Sequence, residues 1–254
     1  MKQNIDQLIR SDIDSIQLNQ YSFPYHHIPS SKGFPNFSKE WSFAPSYIAA
    51  YELIRDDLTN DREFNTLIDV GCGDGGFLAL LADSTPSVHL TGIDLDERAI
   101  AWATLFNQHV EFFVRSLSEV GSELYDRATC IEVLEHIPPS DLPNFIDELH
   151  RIMKPGSILY VTVPSIGKSL VKKHYQHFSV ESLLSYISLD KWEVNDAYYF
   201  GRRGRIGRIY SKLRSLGNFY FEQKTLNRLY INELKSPHKS HHKTGRIFLK
   251  LKRN

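Results

Sequence analysis

The chain predicts an α/β fold, a mostly parallel sheet with helices on both faces, and three observations carry that reading. From Thr66 onward, apolar β-type runs alternate with helical patterns, the signature of strand–helix–strand units. The run Leu67-Ile68-Asp69-Val70 stops at a glycine cluster, Gly71-Cys72-Gly73-Asp74-Gly75-Gly76, and a helical pattern starts immediately afterwards. There the backbone must turn sharply and pass close to a ligand, and a Cβ at Gly71 or Gly73 would obstruct one of those jobs. Late in the chain, 192–200 and 246–251 read as two more strands bracketing a basic, helix-permissive stretch.

In order, residues 1–20 space Ile5, Leu8, Ile9, Ile13 and Ile16 as a short amphipathic helix would. Pro24 and Pro29 then forbid regular helix, so Tyr21, Tyr25, His26 and His27 are displayed from an extended segment, as a lid or substrate wall or as pins for an N-terminal arm. Residues 44–58 form a helix burying Ile48, Tyr51, Ile54 and Leu58. Strands follow at 66–72, 89–95, 110–115, 127–133 and 157–163, with helices at 75–83, 97–108, 141–153 and 180–187. Pro86, Pro138-Pro139 and Lys154-Pro155-Gly156 mark the connections. The expected units are an N-terminal helical and aromatic lid (1–60), a ligand-binding α/β domain (61–201 with 245–254) and a basic insertion (202–244).

Composition bounds the partners. A chain of 254 residues, 41% hydrophobic and 24% charged, suits one large globular domain. No run approaches the ~18 apolar residues of a membrane span, and the polar start fits no signal peptide, so a cytoplasmic protein is expected. Cys72 and Cys130 lack metal-type spacing and read as reduced core residues. Neutrality conceals a division: residues 1–200 hold 15 Lys and Arg against 28 Asp and Glu, a net −13, while 201–254 hold 15 against 2, a net +13. Arg202, Arg203, Arg205, Arg208 and Lys212, interleaved with Ile206, Ile209 and Tyr210, describe a basic amphipathic helix for phosphate or an anionic membrane surface. If 192–200 is a parallel strand, this insertion leaves from the ligand-binding rim.

At that rim the glycine turn offers backbone N–H groups and a helix N-terminus, while Asp69 and Asp74 disfavour a pyrophosphate and suit a cofactor bearing an ammonium or sulfonium charge. Asp94, 23 positions beyond Gly71, can accept from both ribose hydroxyls, since Asp96 fills the helix-capping role better. Asp69-x-Gly71-x-Gly73-x-Gly75, Gly92-Ile93-Asp94, Ile131-Glu132-Val133-Leu134-Glu135-His136 and Lys154-Pro155-Gly156, four motifs in order, resemble those of class I S-adenosylmethionine-dependent methyltransferases over roughly residues 45–200, particularly the ubiquinone-type and type 11 or 12 members of bacterial natural-product and polysaccharide pathways. The resemblance implies a Rossmann-like seven-stranded sheet with a final antiparallel strand beside the sixth. It also implies S-adenosylmethionine as cofactor, held by Asp69, Gly71, Cys72, Gly73 and Gly75 at its methionine part and Asp94 at its ribose, with Leu95, Ser116 and Leu117 near the adenine and Glu132 close by. Many members carry an acidic residue where this chain has Ser116-Leu117-Ser118.

Glu132, Glu135 and His136 at the mouth of the fourth strand admit three readings. His136, with His177 and Glu132, could take the proton from an acceptor hydroxyl. The carboxylates and His136 could instead bind a divalent cation with His174 or His177, since Glu-x-x-Glu-His resembles the metal site of small-RNA 3′-terminal 2′-O-methyltransferases. The Phe-Glu-Trp of those enzymes is absent, Phe178-Ser179-Val180 standing there. Or the segment merely shapes the pocket. His174 and Tyr175 lie in a stretch resembling the substrate-side loop of natural-product and polysaccharide methyltransferases. The expected activity is O-methylation of a small or medium acceptor: a sugar, a glycolipid precursor or another secondary metabolite, anionic if the basic stretch contacts it. The alternatives are a metal-dependent RNA 2′-O-methyltransferase and a non-catalytic cofactor-binding subunit, nucleic acid being the less favoured partner.

Overall fold

A computed structural model describes residues 45–61, 64–215 and 223–254. Tyr21, Tyr25, His26 and His27, and most of the 1–60 lid segment, lie outside the described residues. The elements are α1 (Pro45–Asn60), β1 (Thr66–Val70), α2 (Gly76–Ala82), β2 (His89–Asp94), α3 (Glu97–Phe106), β3 (Glu111–Val114), β4 (Tyr125–Ile131), α4 (Leu142–Ile152), β5 (Met153–Pro164), α5 (Val180–Leu184), β6 (Trp192–Phe200), α6 (Arg205–Ser215), α7 (Gln223–Lys235) and β7 (Arg246–Arg253).

The expected Rossmann-like, seven-stranded sheet is present in the order β3-β2-β1-β4-β5-β7-β6. Strands β1 to β5 are parallel, and β7 runs antiparallel between β5 and β6, which makes β6 parallel to β5. Alternate residues of the central strands feed two cores. Ile68, Val70, Ala128, Cys130, Leu159 and Val161 point to the face covered by α4 and α5. Leu67, Ile131, Ile158, Tyr160 and Phe248 point to the face covered by α1, α2 and α7. That two-sided burial is why the central strands read as continuous apolar runs. Both cysteines are unpaired and buried.

Most element ends fall within two residues of the expectation, and two differ by more. β5 begins at Met153, so Lys154-Pro155-Gly156 lies inside the strand; Gly156 adopts φ 78° and the β4–β5 register shifts beside it. α5 stops at Leu184 rather than 187. The spacing of Glu132, Glu135 and His136 suggests one side of a single helical turn; instead Glu132 sits at φ 57° ahead of a short 3₁₀ turn, Leu134–His136. Asp96 does cap α3, accepting from the backbone N–H groups of Arg98 and Ala99, which leaves Asp94 for other work.

Candidate active site

The carboxyl ends of β1, β4 and β5 and the loop after β5 enclose a cavity of about 360 Å³. Its floor is the glycine turn, where two positions require glycine on both conformation and space. Gly71 lies at φ +75°, with Val133 Cγ2 2.5 Å from where a Cβ would stand; Gly75, at φ +78°, has Phe112 Cζ 2.7 Å from that point. Four of the turn's N–H groups, expected to face a ligand, are engaged within the chain. Those of Gly71 and Cys72 donate to the Ile93 carbonyl at 2.8 and 3.0 Å, that of Gly75 to the Cys72 carbonyl, and that of Gly73 to Asp94 Oδ2 at 2.8 Å. What the turn presents to the cavity is the bare backbone of Gly71, Cys72 and Gly73 beside the Asp69 carboxylate.

Asp69 is buried and accepts from the Thr129 hydroxyl at 2.7 Å. Burial raises its pKa to about 7; the Thr129 hydrogen bond opposes the rise and the Asp94 charge adds to it. Asp94 is pinned by Gly73 N–H and by Asp96 N–H at 3.0 Å, and burial raises its pKa as well. Gly75, Asp94, Leu95, Ser116 and Leu117 lie outside the cavity wall, toward the ends of β2 and β3. Leu95 is 74% exposed, Leu117 is buried, and Ser116 is tied up in a capping box with Glu119.

The same cavity wall carries Glu132, Glu135, His136, His174 and His177. Glu132 accepts from Thr162 Oγ1 at 3.1 Å and pairs with Arg246 Nε at 3.0 Å. Arg246 also donates to Ser46 and lies over the Tyr47 ring, so it joins α1, β4 and β7. Glu135 is almost fully buried; its Oε2 has no hydrogen-bond partner among the described residues, and burial, then the Glu132 charge, raise its pKa well above the carboxylate range.

The histidines form a directed set. His136 Nδ1 donates to the Lys173 carbonyl at 3.1 Å, leaving Nε2 as a lone pair. Burial, then the Lys173 charge, lower its pKa to about 4. His177 Nδ1 must donate to the Lys168 carbonyl at 3.1 Å, so its Nε2 accepts from His174 Nδ1 at 2.9 Å, and His174 Nε2 is left as a second lone pair. Burial, then His136, bring His174 to about 3. The 3₁₀ turn and the histidine loop are joined by Tyr175 N–H donating to the Glu135 carbonyl at 2.8 Å. The loop Tyr175 belongs to the same unit, although the residue itself is not on the cavity wall. Ligand atoms of Glu135, His136 and His174 lie within 4.8 Å of one another.

Sequence reasoning missed Thr129, Thr162, Lys173 and Arg246. Only Arg246 carried a signal, as the first residue of a strand expected to start at this rim.

A family model described as a methyltransferase domain matches residues 41–198, more than half of the chain. The ubiquinone biosynthesis O-methyltransferase of Pseudomonas paraeruginosa is 34% identical over 104 residues, 38% of this chain and 43% of that protein. That of Hahella chejuensis is 29% identical over 144 residues, 51% and 58%. The chain thus spans about half the length of these curated relatives. Magnesium protoporphyrin IX methyltransferase from Synechocystis PCC 6803 superposes with a TM-score of 0.59 over 98% of this chain and 96% of that one, at 16% identity, a likeness of fold.

Proposed function

Since this chain belongs to the methyltransferase-domain family, we propose that it transfers a methyl group from S-adenosylmethionine to a hydroxyl of a small or medium acceptor. The observation that carries this is the meeting, in one cavity wall, of a buried acidic side chain at a bare glycine turn and a pair of histidine lone pairs. The donor fits the glycine turn: Asp69 is a buried carboxylate suited to a cationic ligand, and a Cβ at Gly71 would not fit. When bound, S-adenosylmethionine supplies an electrophilic methyl on a sulfonium. Asp69, Gly71, Cys72, Gly73 and Gly75 would hold its amino-acid end and Asp94 its ribose, with Leu95, Ser116 and Leu117 near the adenine.

His136 Nε2 takes the acceptor's hydroxyl proton, its ring fixed by the Lys173 carbonyl. His174 lies edge-on to it at 4.8 Å between ring centres and contacts the acceptor, oriented in turn by His177. Glu132, locked between Thr162 and Arg246, positions the wall. Catalysis comes mainly from proximity and orientation. Titration calorimetry with S-adenosylmethionine tests the donor; absence of binding would sink the reading. His136→Ala should keep cofactor affinity and lose about 10²-fold or more in methyl transfer; equal rates would remove His136 from the chemistry.

The approach of Glu135, His136 and His174 favours a second reading, in which a divalent ion held there orients the acceptor oxygens. Activity lost in chelator and restored by metal would select it over the proton-transfer role.

A further inference from the structure

We propose that the mouth of this cavity docks on an anionic lipid bilayer. Strands β5 and β6 are parallel, so the segments following Pro164 and Phe200 emerge at the same carboxyl rim, with Arg246 at the start of β7 between them. Both segments combine cations with apolar side chains left in water. After β5, Ile166, Leu170 and Val171 are 47, 57 and 45% exposed. Lys168, Lys172 and Lys173 are set among them, and residues 165–178 contain no acid. Val171, Lys168 and Lys173 also line the cavity, so this apolar, cationic loop is its rim.

After β6, residues 201–221 contain no acid either. Spacings of three and four put Arg205, Arg208, Ile209 and Lys212 on one exposed face of α6, with Ile209 55% exposed among the cations. Glu233, the one acid within α7, is turned inward to cap α6. The two segments meet at Lys168: its ammonium lies against Gly245 and within the field of Arg203.

The composition chooses the occupant. A free phosphate or a nucleic acid would engage the cations and leave Ile166, Leu170 and Ile209 in water. A bilayer takes both, phosphates meeting Lys and Arg while the apolar side chains enter the acyl boundary. Among the described residues no helix is long and apolar enough to cross a membrane, so the contact is peripheral. That the acceptor enters from the bilayer rests on the methyl-transfer reading; the docking surface does not.

Flotation of the full chain with vesicles tests it. Wild type should float with phosphatidylcholine vesicles containing roughly one third phosphatidylglycerol and stay behind with phosphatidylcholine alone. Arg205→Glu with Arg208→Glu should weaken partition by about twenty-five-fold or more, at around fivefold per cation lost. Ile166→Asp with Leu170→Asp should weaken it about tenfold or more. Each pair should keep its circular dichroism and S-adenosylmethionine affinity, since none of these side chains lines the cavity. No flotation with anionic vesicles overturns the proposal. So does an apolar pair that floats like wild type, the result expected if the basic face serves a soluble polyanion. Flotation requires no methyl transfer, so its failure and the failure of the cofactor titration are separate results.

Discussion

Asp69 is a carboxylate removed from water before any cationic ligand arrives. An unfolded aspartate ionises above about pH 3.9, whereas this one stays protonated to about 7 in the fold, so folding stability falls as pH rises between those values, by about 4 kcal/mol in total. Asp69→Asn should therefore melt above wild type at pH 8 and close to it at pH 4 in cofactor-free thermal scans. The same ionisation should make wild-type affinity for S-adenosylmethionine drop below pH 7, by up to about tenfold per unit, and the variant should lack that slope. Gly71→Ala must place a Cβ at φ +75° within 2.5 Å of Val133. A loss of about 1–3 kcal/mol in urea unfolding, together with loss of cofactor binding, is expected. The glycines were legible because positive φ has few other occupants. The direction of their N–H groups was not, because the acceptor, Ile93 O, is brought there only by the β1–β2 register. His174 and His177 were likewise visible as residues, while their mutual hydrogen bond depends on Lys168 offering its carbonyl nine positions upstream.

The α6–α7 hairpin owes its geometry to one carboxylate. Glu233 on α7 accepts from the backbone N–H groups of Gly204, Ile206 and Gly207 at 2.9, 2.9 and 2.8 Å, serving as the N-terminal cap of α6 from another helix. Gly204 and Gly207 admit it: a Cβ on the first would sit 2.4 Å from Glu233 Oε2, and one on the second 2.5 Å from Tyr230. Glu233→Ala should lose about 1–2 kcal/mol locally and speed amide hydrogen exchange at those three residues while the strands stay protected. Retained protection would show that the cap is unimportant. Helical periodicity at 202–216 could be read from the sequence; a cap supplied from a residue far along the chain could not. The same contrast holds at β5, where Lys154-Pro155-Gly156 reads as punctuation but the strand runs through it, the positive φ of Gly156 accompanying a register shift.

At the scale of the molecule, part of the basic end is folded back on the acidic remainder. Lys235 pairs with Asp56 at 2.5 Å, Lys250 with Asp57 at 2.7 Å, Arg246 with Glu132 and Arg253 with Glu123, each at 3.0 Å. Asp57 also accepts from the hydroxyl of the buried Tyr160 at 2.5 Å, so Asp57→Ala strips two donors at once. Urea denaturation should register a loss of about 1–3 kcal/mol, reduced when Tyr160→Phe is added. The alternation of elements revealed the sheet and its two faces without coordinates, whereas these pairings join segments that only the last strand brings together. That strand also sets an order of events during synthesis. Among the described residues, β7 is the one strand that β6 pairs with, its far side carrying only a bridge from Tyr199 to His238, and β5 gains a neighbour on that side only when β7 arrives. On the ribosome, everything from 165 to 245 must therefore emerge while β5 presents an open edge, and the histidine loop, β6 and the basic hairpin are drawn into one rim only when Arg246–Arg253 zips between two waiting strands.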